Sequence, residues 1–477
     1  MKAAARLAAL LFLAPALAVA QQAPNRTRPP ALAAPTRLIL PSIEKHELKN
    51  GLDVWLVEAH EVPLVQVNLV IHAGSDDDPP GAFGLASLTA AMLDEGAGDR
   101  NALQIADQVD FLGAELGTTS SFDASAVRLN VPVSALPRAL SIMADVALEP
   151  TFPADELERL REERLTALLQ ARDDPAAVAA AAFPRVVFGD THRYGTSAVG
   201  TTKTLAAFSA QQLAAFHREK YRPANATLIV VGDVTAATVL PLLETAFGGW
   251  TGERAAPRVA VPAAPAPRTR QVTIVDVPGA EQSAIRVGTV GVPRSTPDYF
   301  PIQVLNTVLG GSFTSRLNQN LREEHGYAYG ANSRFDMRLA PGPFVAGANV
   351  QTDKTAESLT EIFKELDAIR KPIGGDELAK TKNYLALGFP GAFETIEDLA
   401  GRLEELAIYG LPDQYYANYT AQIGAVTAAT AERAATAHIE PGTLAVVVVG
   451  DRARIEPGIR ALNLGPVRVV SVEDMVP

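Results

Sequence analysis

Apolar and polar residues alternate along three short segments, which is the pattern of β-strands with one face in a core. One face of the first segment is entirely aliphatic, with Val65, Val67, Leu69 and Ile71. Residues 121–131 (SFDASAVRLNV) alternate in the same way and are bounded by Gly and Pro. The third segment also has two faces, made of Ile285 with Val287 and of Ala284 with Arg286. We predict a strand at each of these places.

The order of the predicted elements is the same in the two halves of the chain. Each half begins with strands, continues with an amphipathic helix and a second helical stretch, returns to strands, and ends in a long helical region. Runs of strands followed by runs of helices favour an antiparallel sheet with helices packed on one face. We therefore expect an α+β protein made of two related halves.

Short sequences that recur at a nearly constant distance support this duplication. The segment 227–233 (TLIVVGD) recurs as 443–451 (TLAVVVVGD), which places Gly232 and Gly450 218 residues apart. The helix-opening triplet 155–157 (DEL) recurs at 376–378, an offset of 221. Chance similarity of short apolar strands is the alternative, but matching offsets at distant points favour a duplicated unit.

A proline-rich segment separates the two halves. Residues 251–270 have few large apolar side chains and contain Pro257, Pro262, Pro265 and Pro267. Such a composition is typical of an extended, semi-rigid linker. We predict one domain over 37–250 and a second over 271–477, with a loose Pro- and Ala-rich tail over 21–36.

The first twenty residues have the pattern of a secretory signal peptide. Lys2 and Arg6 precede an apolar run at 7–17, which ends in the small-residue cleavage pattern AVA at 18–20. The run is shorter than the about 20 residues that span a bilayer, and a buried N-terminal helix is the alternative. Residues 1–20 therefore predict export to the periplasm. The rest of the chain has no apolar run long enough for a membrane span.

Composition excludes several classes of function. The 477 residues are 47% hydrophobic and include no cysteine, so a core and not disulfides has to provide stability, and thiol chemistry is excluded. The net charge of −12 disfavours nucleic acid and anionic membranes as partners. On charge alone, peptides that are basic or neutral are the more favourable ligands.

The segment 309–330 (LGGSFTSRLNQNLREEHGYAYG) predicts a glycine turn, a helix and a following strand. Gly310 and Gly311 make the turn, and Ser312 or Thr314 could cap the helix. The residues on its polar side are Arg316, Asn320 and Glu323, and those on its apolar side are Leu317 and Leu321. A glycine, Gly326, ends the helix.

Two hydrogen-bond donors lie close to this break. Arg322 is in the last helical turn and Tyr329 follows seven residues later, so a chain that folds back brings them together. A guanidinium and a phenol both suit a peptide carbonyl, or the oxyanion that forms when water attacks it. The alternative is a surface arginine beside a half-buried tyrosine.

The same segment resembles the second-half motif of the insulinase/pitrilysin peptidases, closest to the bacterial and mitochondrial processing-peptidase branch. That motif is a Gly-Gly turn, Ser-Arg-Leu, Leu-Arg-Glu and Gly-x-Ala-Tyr. The resemblance extends over nearly the whole chain after the signal peptide. The other matching segments are 50–52 (NGL), 194–195 (YG), 221–225 (YRPAN) and 347–352 (GANVQT).

The resemblance implies a clam-like pair of domains and a role for the two donors. In that family the positions that match Arg322 and Tyr329 help to bind the substrate carbonyl across from a zinc site. The zinc site itself is a His-x-x-Glu-His motif on the first helix of the first half, where two imidazoles at i and i+4 bind the metal and the glutamate activates water.

The corresponding helix, 84–94, lacks the zinc ligands. Ser87 and Ala91 stand at the two histidine positions and Ala90 at the glutamate position. The third family ligand is a glutamate that would fall within 164–171 (RLTALLQA), which contains no carboxylate. We therefore predict no metal in this chain.

A displaced metal site or a serine nucleophile would be the alternatives to a lost site. No two histidines are three to five residues apart, and they lie at positions 46, 60, 72, 192, 217, 325 and 438. Ser87 lacks both a Gly-x-Ser-x-Gly elbow and a base. No independent peptidase activity is expected.

Three hypotheses follow. In the leading one, this chain is the non-catalytic subunit of a heterodimeric zinc metallopeptidase, and Arg322 and Tyr329 act in trans on peptide substrates beside a zinc-bearing homologue. The second is a structural or peptide-binding scaffold without a role in catalysis. The third is an active zinc enzyme whose ligands are misaligned, which zinc analysis of the purified chain would test.

Overall fold

A computed structural model describes residues 39–252, 261–263 and 269–476. The predicted signal peptide, the predicted tail and most of the predicted linker lie outside these residues. No helix of the described part combines the length and the apolar character that crossing a bilayer requires.

The first half alternates between strands and helices. Its strands are β1 (Glu44–Glu47), β2 (Asp53–Glu58), β3 (Leu64–Ile71), β4 (Gly96–Ala97), β5 (Arg100–Asn101), β6 (Glu115–Ser120), β7 (Ser125–Pro132) and β8 (Ala226–Gly232). Its helices are α1 (Leu85–Ala91), α2 (Ala102–Phe111), α3 (Leu136–Leu148), α4 (Ala154–Gln170), α5 (Pro175–Phe188), α6 (Thr202–Ala207), α7 (Ala210–Lys220) and α8 (Ala236–Phe247). Single 3₁₀ turns lie at Ser75–Asp77, Val133–Ala135, Ala171–Asp173, Arg193–Gly195 and Pro223–Asn225.

The second half has the same kind of alternation. Its strands are β9 (Gln271–Asp276), β10 (Gln282–Val290), β11 (Ala328–Phe335), β12 (Pro343–Gln351), β13 (Ala445–Gly450) and β14 (Val467–Val470). Its α-helices are α9 (Tyr299–Leu309), α10 (Arg316–Asn318), α11 (Thr355–Ala368), α12 (Gly375–Gly388), α13 (Ile396–Tyr409), α14 (Tyr419–Ala425), α15 (Ala428–His438), α16 (Arg452–Ala461) and α17 (Val472–Met475). A π-helix covers Gln319–Glu324, and 3₁₀ turns lie at Thr352–Lys354, Phe389–Phe393, Tyr416–Asn418 and Pro441–Thr443.

The two large sheets have nearly the same strand order. Within the described residues, the first sheet runs β1-β2-β8-β3-β7-β6 and the second runs β14-β9-β13-β10-β12-β11. The order matches at five of the six positions, so the α+β architecture with two related halves is confirmed. The sheets differ at one edge, because β1 pairs antiparallel with β2 whereas β14 pairs parallel with β9.

The sheets are mixed and not purely antiparallel as expected. β2 pairs parallel with β8, and β9 pairs parallel with β13. The long helical region of each half explains this, since it carries the chain back across the sheet before the last central strand, as a parallel connection requires. The predicted strand at 121–131 also begins later, at Ser125, because the hydroxyl of Ser121 accepts hydrogen bonds from the backbone N–H groups of Asp123 (3.2 Å) and Ala124 (3.1 Å) and forms a turn.

Each sheet is covered on both faces, not on one as predicted. Helices of its own half pack against one face, as the alternating patterns require. The other face is covered by a helix of the opposite half: α13 packs on β3 and β8, and α5 packs on β10 and β13. The cause is visible in the strands, because every residue of β8 and of β13 is buried and an apolar second face cannot remain in water.

We expect the substitution Leu403→Ala on α13 to lower the free energy of unfolding by about 2–5 kcal/mol, because it leaves a cavity against the first sheet. Denaturant titration measures this change. Leu387→Ala, on the exposed side of α12, is the matched control and should have little effect. Equal unfolding midpoints for the two variants would show that the packing of helix α13 on the first sheet contributes no stability.

Candidate functional site

Helix α1, which the resemblance places at the family's zinc helix, is fixed at its N-terminus by a buried carboxylate. Both oxygens of Asp78 accept backbone hydrogen bonds, from Gly84 N–H and from Ala86 N–H, each at 2.7 Å. Gly84 has a φ of 104°, and a Cβ there would collide with the backbone of Val199. Asp78 and Gly84 therefore fix the residue at which this helix begins.

Arg193 is the ionic partner of this carboxylate. Its Nη2 lies 3.1 Å from Asp78 Oδ2, and both side chains are buried. The guanidinium also donates to the carbonyl oxygens of Ser75, Thr196 and Ser197. Burial lowers the pKa of Arg193, and the charge of Asp78 opposes that shift. Arg193 thus ties the segment around Tyr194 to the start of α1.

Ser87, Ala90 and Ala91 all lie on α1, and an arginine contacts the first of them. Arg164, on α4, donates from Nη2 to the backbone oxygen of Ser87 (3.1 Å) and from Nη1 to its hydroxyl (3.3 Å). Burial lowers the pKa of Arg164, but a guanidinium keeps its charge in a protein. A positive charge therefore lies against Ser87, the residue that the resemblance places at the first histidine position.

A zinc ion does not fit these residues. Arg164 is the first residue of the window 164–171, where the family's third ligand would fall, and it would repel a cation. In the described part of the chain, no group of three or more His, Cys, Asp or Glu side chains is placed to hold a metal. Ala90 is buried in the core and provides no donor atom.

The second-half motif begins with a close approach of two backbones. A Cβ on Gly310 would collide with the backbone nitrogen of Ser333 on β11, so glycine is required there. The helix starts later than predicted, after Ser315, whose side chain makes no capping hydrogen bond. Ser312 is no cap either, because its hydroxyl donates to the carbonyl oxygen of Thr307 (3.2 Å) at the end of α9.

The helix itself is α-helical only over α10 and continues as the π-helix Gln319–Glu324. Leu317 and Leu321 are fully buried, as their pattern predicts. Asn320 was expected on a polar side but is buried, and its amide donates to Glu361 and to Glu365, each at 2.8 Å. Single π-turns are often found at functional sites.

Arg322 and Tyr329 are brought together by the chain reversal. Gly326 ends the helix with a φ of 65°. The guanidinium carbon of Arg322 then lies 5.3 Å from the centre of the Tyr329 ring and 4.4 Å from that of Phe313. The register of β11 against β12 shifts between Ala328 and Ala331, so Tyr329 lies in a β-bulge that re-aims its side chain.

The ring of Tyr329 lies in solvent, whereas the side chain of Arg322 is partly buried, with 29% of it exposed. Tyr329 is 91% exposed and Phe313 63% exposed, so the alternative of a half-buried tyrosine is wrong. The ion pair of Arg322 is with its neighbour Glu323, from Nε at 3.3 Å. In the described ranges, its two Nη groups donate to no other side chain or carbonyl. The pair can therefore offer several hydrogen bonds to one oxygen of a ligand.

Comparison with known proteins shows the family. The sequence profile described as insulinase (peptidase family M16) matches residues 53–192, and that of the peptidase M16 inactive domain matches 207–385. The chain belongs to the insulinase family. An uncharacterized zinc protease of Mycobacterium bovis is 27% identical to this insulinase-family chain over 388 residues, which are 79% of this chain and 84% of that protein.

Solved structures show the same family fold. A crystal structure described as the peptidase M16 inactive domain from Pseudomonas fluorescens has a TM-score of 0.80 at 26% identity, and the match covers 86% of this chain and 98% of that one. The periplasmic protease PqqL from Escherichia coli has a TM-score of 0.71 at 17% identity, and the match covers 91% of this chain and 52% of PqqL. The second match shows the fold alone.

Sequence reasoning missed Arg164, Asp78 and Arg193. The window 164–171 contains no carboxylate, and its first residue is the arginine that contacts Ser87. An arginine within the segment where a glutamate ligand is expected could have indicated that a positive side chain takes the place of the metal. The pairing of Asp78 with Arg193 spans 115 residues, and no local pattern indicates it.

We expect two added histidines to bind zinc well only when the guanidinium is also replaced. The variant Ser87→His/Ala91→His/Arg164→Glu should bind zinc at least about tenfold more tightly than Ser87→His/Ala91→His alone, because the retained positive charge repels the metal. Competition with a chromophoric chelator measures both affinities, and circular dichroism verifies the fold. Equal affinities would contradict the placement of Arg164 at the metal position.

Loss of the buried carboxylate should be costly. Asp78→Asn leaves Arg193 buried without its counter-charge and should lower the free energy of unfolding by about 3–5 kcal/mol. Denaturant titration measures it, with Asp99→Asn at an exposed position as the control. A loss no larger than that of the control would mean that the ion pair does not hold α1 in place.

Proposed function

We propose that this chain is the non-catalytic subunit of a heterodimeric zinc metallopeptidase in the periplasm, and that it supplies Arg322 and Tyr329 in trans to the substrate carbonyl. One observation carries the proposal: two donors lie side by side in the second half, while in the first half Arg164 contacts the position of the first missing zinc ligand. A zinc-bearing homologue is the partner, and peptides or proteins are the substrates.

The chemistry of the pair suits a developing negative charge. The guanidinium N–H groups of Arg322 and the O–H of Tyr329 can donate to the carbonyl oxygen of the scissile bond, whose charge grows when water attacks the carbon. The partner supplies the zinc and, with it, the attacking water. Donors that are already oriented before the reaction begins stabilise the charged transition state more than the uncharged substrate.

The exposure of the pair supports a contribution in trans. Phe313, Arg322 and Tyr329 form an aromatic–cation–aromatic patch at the surface, and its two rings are mostly in water. Exposed aromatic surface with polar neighbours is typical of binding sites. Once a partner covers the patch, the lower dielectric constant strengthens each hydrogen bond to the substrate.

Export rests on the pattern of residues 1–20, with its charged start, apolar run and small-residue cleavage site. The structural neighbour PqqL is described as a periplasmic protease, which is the same compartment. We propose the periplasm as the location of this chain on these grounds.

A scaffold without a role in catalysis is the second candidate. The contacts of Arg322 with Phe313 and Glu323 favour it, because they would hold the arginine in place without any substrate. The two proposals differ in what the donors do during turnover, since a scaffold needs the folded surface but neither the phenol O–H nor the guanidinium.

In the complex with a zinc-bearing homologue, Tyr329→Phe and Arg322→Ala should each lower kcat/KM for a peptide about 10²-fold, because each removes one donor to the oxyanion. Tyr329→Phe keeps the ring and removes only the O–H. Peptide cleavage by the purified complex measures the effect, and gel filtration verifies that the complex still forms.

The matched controls are Tyr384→Phe and Arg454→Ala, since both positions are exposed and lie outside the motif. Both should retain wild-type activity. Full activity in the Arg322 and Tyr329 variants as well would reject the contribution in trans and leave the scaffold.

A further inference from the structure

A basic cleft of about 410 Å³ lies beside Tyr329, on the face of the second sheet that α5 covers in part. Helix α5 packs mainly on β10 and β13 and reaches β12 less, so the outer face of the edge strand β11 stays exposed. The floor of the cleft includes Arg286 from β10, Arg334 from β11 and Asn349 from β12, and Tyr329 lies at its rim. A cavity of this size is in the range of ligand sites.

Within the described residues, the two arginines that line the cleft form no ion pair. Arg286 donates from Nη1 to the carbonyl oxygen of Ile285 (2.9 Å) and to Asn349 Oδ1 (3.3 Å), which are uncharged acceptors. Burial lowers its pKa, the charge of Arg334 lowers it further, and Asp174 acts in the opposite direction. Among the residues that the structure describes, neither Arg286 nor Arg334 has a carboxylate within the 4.0 Å of an ion pair.

The other charged pair of the cleft is satisfied internally. Arg338 donates to Asp336 from Nη2 (2.5 Å) and from Nε (3.1 Å), and its guanidinium packs on Phe122 at 3.8 Å from the ring centre. This pair adds little net charge. The excess positive charge of the cleft therefore comes from Arg286 and Arg334, in a chain whose net charge is −12.

The equivalent place in the first half shows what such a surface requires. Arg128, on β7, donates to Glu404 of the exchanged helix α13 from Nε (2.7 Å) and from Nη2 (2.6 Å). Asn68, on β3, donates to the same carboxylate at 2.6 Å. Glu404 is buried, so in this half the space between the sheet and the helix is closed by a carboxylate that the chain itself provides.

In the second half that carboxylate is missing. With the offset of 218 residues, Arg286 is the counterpart of Asn68. Asn68 lies opposite Arg128 on the neighbouring strand β7. Arg286 lies opposite Gly347 on the corresponding strand β12. The residue 221 positions before Glu404 is Phe183, on α5. A glycine and a phenylalanine thus stand where the first half has its arginine and its carboxylate, and the cleft remains open.

We propose that this cleft is a subsite for a carboxylate group of the bound peptide, which takes the place that Glu404 fills in the first half. Two guanidinium groups suit the two oxygens of a carboxylate. The peptide whose carbonyl contacts Tyr329 reaches the cleft within a few residues, so the subsite selects an acidic side chain or a free C-terminus near the bond that is cleaved. This differs from the preference that the net charge alone indicates, and it rests on the proposed function.

Binding to the full mature chain without its partner tests the subsite. Three fluorescent peptides of one neutral sequence serve as probes: one with a single Glu and an amidated end, one without Glu and amidated, and one without Glu with a free C-terminus. We expect at least one carboxylate peptide to bind about tenfold or more tightly than the neutral amide in fluorescence anisotropy. The tighter of the two identifies the source of the carboxylate.

Two exposed positions allow variants that spare the core. Arg334→Glu reverses one charge, and Asn332→Asp adds a carboxylate within the cleft, so each should remove most of the preference for the carboxylate peptide. Arg454→Glu, an exposed residue that does not line the cleft, makes the same charge change as Arg334→Glu and should retain the preference. Circular dichroism verifies the fold of all three.

Equal binding of the three peptides would overturn the subsite, and so would an equal loss in Arg334→Glu and Arg454→Glu. These results are distinct from a failure of the proposed function, because they need neither zinc nor turnover. If Tyr329→Phe slows the complex and the peptides bind equally, the subsite alone is rejected.

Discussion

The central strands of both sheets are apolar on both faces, and the need to cover the second face governs how the two halves are arranged. One helix of each half packs on the sheet of the other half: α5 covers the second sheet and α13 covers the first. The gain is large, since each fully buried aliphatic side chain contributes about 1.5–3 kcal/mol. Separation of the halves would expose both apolar faces at once, so the packing couples the stability of one half to that of the other.

This arrangement also determines where chemistry can occur. A single helix is too narrow to cover a whole sheet and lies mainly on the central strands, so the state of the surface toward the β6 or β11 edge depends on other side chains. In the first half a carboxylate and an arginine close that surface, while in the second half the surface is open and leads to Tyr329. One duplicated fold thus provides a closed side and an accessible side, and the difference between them is made by a few side chains.

Much of this could be predicted from the sequence. The strand patterns at Val65–Ile71 and at Ile285–Val287, the duplication and the turn at Gly326 are local signals, and the structure has each of them. The mixed sheets and the exchange of helices were missed, because strand alternation states that a face is buried but not which element buries it. The uninterrupted apolar runs LIVV and LAVVVV within the two repeats were the available signal for cover on both faces.

The candidate site also has a part that the sequence predicts and a part that it does not. The motif placed Arg322 and Tyr329 near each other, since a short chain reversal connects them. Arg164 and Ser87 are 77 residues apart, and the contact of Asn68 with Glu404 spans 336, so only the assembled fold reveals these contacts. Local patterns predict elements and turns, whereas long-range charge pairing depends on packing that no single segment encodes.

The π-helix at Gln319–Glu324 rotates the side chains that follow it about the helix axis, compared with a continuous α-helix. The backbone N–H of His325 bonds to the oxygen of Asn320 (3.1 Å), five residues back, so the turn holds about one residue more than an α-helical turn. One residue corresponds to about 100° of rotation in an α-helix. The direction in which Arg322 points is therefore set by the length of this turn as much as by its composition, and a change in length would redirect the side chain while its identity stayed the same.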